Sequence, residues 1–280
     1  MASAPEKPLR LAVVADIHHG PDSGGKKGSR ALDLLRGFLD SPWALEADAL
    51  VDLGDRINNQ DPAADEARLA EVADILRPLP GPRVHLLGNH DLVHLSREDN
   101  ARILDAPASS HVLPMRGFDL VVWQADTRCY WRERTEAEEE DLCWLEDTLA
   151  NGSRPAVVLS HFALTPHVLA GNPYFDARPG HDRYLQQERI RSILAARGRV
   201  VLCLAGHLHA NCWGVADSIV HLAQQSLTES FATAPEPAGA FGLLEITPGP
   251  DARLSWTVHG RDRLALDLPL PRLAARAQGG

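Results

Sequence analysis

Five short segments each place metal-ligand side chains at the end of an apolar run: Asp16-Ile17-His18, Gly54-Asp55, Gly88-Asn89-His90-Asp91, Ser160-His161 and Gly206-His207-Leu208-His209. Each fragment alone says little, but together they supply ligands for two adjacent cations. Oxygens from Asp and Asn mixed with imidazoles suit manganese, iron or zinc rather than calcium or a thiolate-seeking ion. A carboxylate can bridge two cations. Ions about 3.5 to 4 Å apart lower the pKa of a shared water and clamp a transferring phosphoryl group, the chemistry of phosphate-ester hydrolysis. Glycines before Asp55, Asn89 and His207 let the backbone turn sharply and approach a bound anion closely.

Four of the five segments follow a predicted strand, so their ligands project from carboxyl ends, where open α/β sheets place their binding crevice. Strands are expected at Leu9 to Ala15, Ala49 to Leu53, Arg83 to Leu87, Phe118 to Trp123, Ala156 to Leu159 and Val200 to Ala205. Their continuous apolar character predicts burial on both faces. Helices are expected near Ser29 to Leu39, Pro62 to Leu76, Arg97 to Leu104 and Leu185 to Ala196. Another near Glu136 to Leu149 would start on Thr135 as N-cap, with Glu138 at capping-box spacing. The acidic run Glu138 to Asp141 then suits a first helical turn. After His209, shorter runs at Ser218 to Leu222, Phe241 to Ile246 and Leu254 to His259 predict a second, largely antiparallel sheet. Two packed sheets with outer helices result, and no internal repeat is present.

The ordered set Asp-x-His, Gly-Asp, Gly-Asn-His-Asp, His, Gly-His-x-His resembles the calcineurin-like metallophosphoesterases over roughly Leu9 to His209, and within them the bacterial cyclic-nucleotide phosphodiesterase branch. The expected fold is α/β, a four-layer α/β/β/α sandwich of two mixed β-sheets flanked by helices, with one domain over 1–265 and an irregular tail over 266–280. The resemblance implies one metal held by Asp16, His18 and His209, another by Asn89, His161 and His207, and Asp55 bridging them. The metals would be manganese, iron or zinc. It implies that His90 touches the phosphate and stabilises or protonates the leaving oxygen, with an acidic neighbour, Asp91, keeping it charged. General acid help of that kind is typically worth about 10²- to 10⁴-fold. The attacking group would be a metal-bridging hydroxide. No Gly-x-Ser-x-Gly elbow is present. Asp22 to Gly28 has the wrong order of glycines and lysine for a Walker loop and reads as a flexible loop.

Most of the 13 histidines are not ligands. His19 reads as a surface or supporting residue, His85 as a satisfied core side chain, and His94, His111, His221 and His259 match no motif position. Arg56 could hold a phosphate oxygen or serve as a structural ion pair. Asn58 and Asn59 border the pocket or shape a turn. Between His161 and the next helix, Thr165 to Arg183 reads as a loop that could cover the metals. Tyr174 or Phe175 would stack on a base or sugar and His181 would approach the substrate, against the alternative of a packed surface loop.

At 280 residues and 44% apolar composition the chain can bury a substantial core. The net charge of -10 argues against a footprint for long nucleic acid. Cys129, Cys143, Cys203 and Cys212 lack paired spacing and read as reduced thiols. The first residues lack a targeting signal and no run approaches the roughly 20 apolar residues needed to span a bilayer, so a cytoplasmic protein without membrane insertion is expected. The leading function is hydrolysis of a small-molecule phosphodiester. Phosphomonoesterase or nucleotide-diphosphate hydrolase action would use the same residues. A nuclease is disfavoured by charge, and a noncatalytic scaffold by the complete ligand set. Apolar edge strands in the C-terminal half could support a homodimer.

Overall fold

Leu9–Val14 forms β1, in which only Arg10 is exposed, the burial of a strand covered on both faces. The computed structural model describes residues 7–128, 135–167, 169, 171–249 and 251–273. Helices α1 (Ala31–Leu39) and α2 (Pro42–Glu46) lead to β2 (Ala49–Asp52), and α3 (Pro62–Leu76) leads to β3 (Arg83–His85). These three strands pair in parallel. Asp61 starts α3 by accepting from the backbone N–H of Ala64 at 3.0 Å, with Pro62 in the first turn, residue types suited to both positions. Helix α4 (Arg97–Leu104) starts on a capping box between Ser96 and Asp99.

The chain then crosses to a second sheet. Strands β4 (His111–Met115) and β5 (Phe118–Val122) form a hairpin whose two turn residues, Arg116 and Gly117, both have positive φ (48° and 81°), the turn that matches strand twist. There follow α5 (Glu139–Asn151), β6 (Ala156–Ser160), α6 (Pro173–Ala177), α7 (Gln187–Ala195) and β7 (Val200–Ala205). A second hairpin joins β8 (Cys212–Ala216) to β9 (Ile219–Ala223). Finally β10 (Phe241–Thr247), β11 (Arg253–His259) and β12 (Leu264–Pro269) return to the first sheet. The sheet orders are β12-β11-β10-β1-β2-β3 and β4-β5-β6-β7-β9-β8.

The largest apolar cluster lies between the sheets, joining Leu11, Val13, Leu244 and Trp256 to Val157, Leu159, Leu204 and Leu222. Leu35, Phe38, Val72 and Leu76 of α1 and α3 cover the outer face of the first sheet. Leu142, Leu145, Ile190 and Leu194 of α5 and α7 cover the second. The result is the expected four-layer sandwich of two mixed sheets. Among the described residues no helix is long and apolar enough to cross a membrane. Cys143, Cys203 and Cys212 are free thiols, and Cys129 lies outside the described residues.

Three local expectations differ. The C-terminal strands do not form a sheet of their own: β8 and β9 extend the second sheet, while β10 to β12 extend the first beside β1. The segment read as irregular from Leu266 belongs to β12 as far as Pro269, because β12 pairs with β11 and turns Leu264, Leu266 and Leu268 onto the inter-sheet core; 274–280 lie outside the described residues. Thr135 does not cap α5, which starts at Glu139 after Glu138. Thr135 to Ala137 is held instead beside the approach to α7. Leu185 N–H donates to Thr135 O at 2.8 Å, and the Gln186 side chain bonds both backbone groups of Ala137.

Candidate metal centre

Beyond their last paired residues, β1 and β2 continue side by side without being strands. Asp16 N–H donates to Gly54 O at 3.0 Å and His18 N–H to Asp55 O at 2.9 Å, which sets Asp16 and His18 against Asp55. To turn inward, Asp16, His18, Asp55, His207 and His209 all take positive φ, between 47° and 66°. Non-glycine residues pay for that conformation, and such strain concentrates at functional sites. The glycines are required here by ligand packing: a Cβ on Gly88 would lie 2.0 Å from Asp55 Oδ1, and one on Gly206 2.9 Å from Asp16 Oδ2.

Asp55 Oδ2 lies 3.7 Å from His18 Nε2 and 3.6 Å from His161 Nε2, between two groups of ligand atoms. On one side His209 Nε2 is 3.0 Å from His18 Nε2 and 3.5 Å from Asp16 Oδ1. On the other, His161 Nε2 is 3.2 Å from Asn89 Oδ1, and His207 joins His161 and Asp55 in one cluster. Three of the four remote ring nitrogens have partners. His161 Nδ1 donates to Leu53 O (2.8 Å), His207 Nε2 to His181 O (2.9 Å) and His209 Nδ1 to Glu229 Oε2 (2.9 Å). Those acceptors leave a lone pair on each inward nitrogen, the arrangement by which outer partners orient metal-binding imidazoles. His18 Nδ1 is buried without a hydrogen-bond partner among the described residues.

The electrostatics call for cations. Burial pushes the Asp55 carboxyl up to about 7, with Asp16 and Asp91 adding to the rise and His161 opposing it. Burial drives His18 and His207 well below the usual imidazole range, helped by Lys26 and His161 respectively. Burial opposes the charge on His209 too, yet Asp16 and Glu229 raise it to about 9. Crowded carboxylate oxygens and imidazole lone pairs, with no thiol among them, fit two cations of the manganese, iron or zinc type.

His90 sits at the rim, its ring 4.7 Å from that of His18. Its Nδ1 contacts Asn59 Oδ1 at 2.6 Å and its Nε2 lies 3.3 Å from Lys26 Nζ. The expected acidic neighbour is not in that place. Asp91 is fully buried and accepts from the N–H groups of Asp55, Arg56 and Gly88 at 2.8 to 2.9 Å. It therefore acts on the ligand-bearing turns and not on the reacting atoms. Burial, with Lys26, lowers His90 well below its ordinary range, against the charged form expected. Arg56 is likewise not a substrate residue. Its guanidinium is fully buried, 2.5 Å from Asp52 and 3.0 Å from Asp91, and donates to Leu86 O at 2.6 Å.

Above the ligands opens a cavity of about 240 Å³. Helix α6 forms one wall inside the segment read as a loop. Asn172 caps it through Tyr174 and Phe175 N–H and donates to Leu208 O at 3.1 Å, which fastens it to the His207-His209 turn. Phe175 lies edge-on to His207, with ring centres 5.3 Å apart, and Tyr174 lies farther out with Arg178 over its ring at 4.5 Å. Tyr174 and Phe175 thus reach the cavity, whereas His181 contributes its carbonyl to His207 rather than its ring to the lining. Lys26, Glu229 and Phe231 also line the cavity. The 22–28 segment read as flexible is docked: Ser23 and Lys26 exchange two backbone bonds, Lys27 N–H donates to Thr228 O, and Ser230 Oγ–H to Gly25 O. Lys26 and Glu229 carried no motif signal, since their approach depends on how two distant loops pack. His19 contacts Glu71 at 2.5 Å and His85 contacts Asp52 at 2.9 Å, the supporting and core roles expected.

A family model described as calcineurin-like phosphoesterase matches residues 9–211. Among solved structures, a dimetal phosphatase from Danio rerio is similar at 18% identity and TM-score 0.74, covering 95% of this chain and 100% of that one. A purple acid phosphatase from yellow lupin (Lupinus luteus) seeds is similar at 14% identity and TM-score 0.66, covering 94% of this chain and 53% of that one. A phosphopantetheinyl hydrolase from Mycobacterium tuberculosis is similar at 14% identity and TM-score 0.53, covering 83% and 94%. At these identities the likeness is one of fold. No curated protein sequence matches the chain.

Proposed function

The chain belongs to the calcineurin-like phosphoesterase family, and from that premise we propose that it hydrolyses a small-molecule phosphodiester, with cyclic nucleotides among the substrates to test. The observation that carries this reading is the position of Asp55 Oδ2, nearly equidistant from His18 Nε2 and His161 Nε2 at 3.7 and 3.6 Å. In this reading Asp16, His18 and His209 hold one cation, Asn89, His161 and His207 hold the other, and Asp55 serves both. Two cations bound there would supply Lewis-acid polarisation of the phosphoryl group and would acidify water.

The chain's own residues do the rest. His90, at the rim, faces the leaving oxygen. Tyr174 and Phe175 offer aromatic surface to an organic substituent of the phosphate. A cavity of about 240 Å³ suits a small ester. Similar structures that carry the name phosphatase make monoester cleavage the competing outcome.

The test is hydrolysis of bis(p-nitrophenyl) phosphate beside p-nitrophenyl phosphate, using metal-stripped protein resupplied with Mn²⁺ and Asn89→Ala and His209→Ala as controls. Diester turnover that needs metal and vanishes in both variants is expected. Turnover of the monoester alone would replace the reading with a phosphatase, and no turnover with metals bound would leave a binding scaffold.

A further inference from the structure

Lys26 is one of three lysines in a chain with 28 basic residues, and it lines the cavity directly above the ligand cluster. The loop that carries it is fixed on both sides. Ser23 and Lys26 close it on itself through paired 3.0 Å backbone bonds, and the 228–230 segment holds it through Lys27 N–H and Gly25 O. Gly25 lets the loop pack closely on that segment, because a Cβ there would meet Glu229 Oε1 at 1.9 Å and Phe231 at 2.5 Å and both side chains would have to shift. The backbone thus fixes the base of the Lys26 side chain, whose ammonium lies 3.3 Å from His90 Nε2 at the cavity.

That place lacks a counter-ion. Among the described residues its ammonium has a single hydrogen-bond contact, His90 Nε2 at 3.3 Å, and no carboxylate in salt-bridge reach. The acidic groups that act on it from farther away are Asp55, Glu229 and Asp16. Each is committed: Asp55 and Asp16 to the ligand clusters and Glu229 to His209. A largely desolvated ammonium without a paired anion costs stability, and a strongly hydrated point charge of this kind is a good phosphate ligand.

We propose that Lys26 is a substrate-binding residue, its ammonium taking a non-bridging phosphoryl oxygen on the His90 side of the cavity. This rests on the reading of the floor as a phosphoester site. It adds to that site an anion-binding group from a loop outside every motif, and so biases the site toward substrates with a free, charged phosphoryl face.

Inorganic phosphate is the probe. Calorimetry on Mn²⁺-loaded wild type, Lys26→Gln and Lys26→Arg should show phosphate binding weakened about tenfold or more in Lys26→Gln, with metal content unchanged and Lys26→Arg largely restored. In wild-type protein, phosphate should slow amine labelling of Lys26, read by peptide mass spectrometry, while Lys7 labels as before; this decides the matter if the variant fails to fold. Unchanged phosphate affinity in Lys26→Gln, loss of metal from that variant, or no protection of Lys26 in wild type overturns the proposal. Binding is read without turnover, so a wild type that binds phosphate through Lys26 yet cleaves no ester would sink the proposed activity and leave this assignment standing.

Discussion

Arg56 shows how a residue beside the reactive centre can be kept from the reaction. It follows Asp55 in sequence, but its chain runs back beneath the turn, and its guanidinium joins Asp52, Asp91 and Leu86 O in a fully buried network. Asp91 uses the same network to hold the N–H groups of Asp55 and Gly88. Removing the cation strands two carboxylates inside the protein, a loss of about 3 to 5 kcal/mol for a broken buried pair. Arg56→Met is therefore expected to lower the urea midpoint strongly. A substrate-binding arginine would behave differently, raising KM while leaving the unfolding curve in place, so the two measurements together separate the roles.

At the scale of elements, β9 carries a buried titratable group away from the site. Val220 and Leu222 face the inter-sheet core, so His221 points to the outer, helix-covered face; it is 3% exposed and, among the described residues, its Nδ1 has no hydrogen-bond partner. Burial, then His167, pushes it down to about 4, with Arg191 adding slightly and Asp217 opposing. The unfolded chain takes up this proton near the ordinary value of 6.5 and the folded protein only near 4, so stability falls as pH drops through that window. His221→Leu removes the effect. Relative to wild type, the variant should gain about 2 kcal/mol between pH 7 and pH 5 in urea unfolding, and equal pH dependence in both would refute the assignment.

The same element shows what a sequence can and cannot tell. Helices α3 and α4 were legible to the residue, and the structure shows why their starts are sharp: Asp61 and Ser96 cap them. The seven proposed ligands were legible because strand ends carry them and their spacing is local. Which sheet β8 to β12 would join was not legible, since pairing β10 with β1 depends on contacts more than 200 residues apart. Lys26 and Glu229 escaped for the same reason: neither loop carries a pattern, and only their packing on each other brings both to the cavity.

At the scale of the molecule, the ligand clusters join the two sheets. Asp16, His18, Asp55 and Asn89 follow strands of the first sheet, whereas His161, His207 and His209 follow β6 and β7 of the second. Each proposed cation would therefore draw ligands from both sheets at their carboxyl ends. There burial, with repulsion from Asp16 and Asp91 adding to it, raises the Asp55 carboxyl, and five of the proposed ligands hold left-handed backbone. A cation that binds the folded chain alone stabilises it by about 2.7 kcal/mol at one hundred times its Kd. Two such ions should raise the thermal midpoint of a domain of this size by roughly 5 to 10 °C. Stripping metal with a chelator is expected to lower the midpoint by that amount. Adding Mn²⁺ back should restore it in proportion to the logarithm of its concentration, and hydrogen exchange should slow at the ends of β1 and β7 together. A midpoint indifferent to metal would mean that the clusters do not tie the sheets, and the dinuclear reading would fail with it.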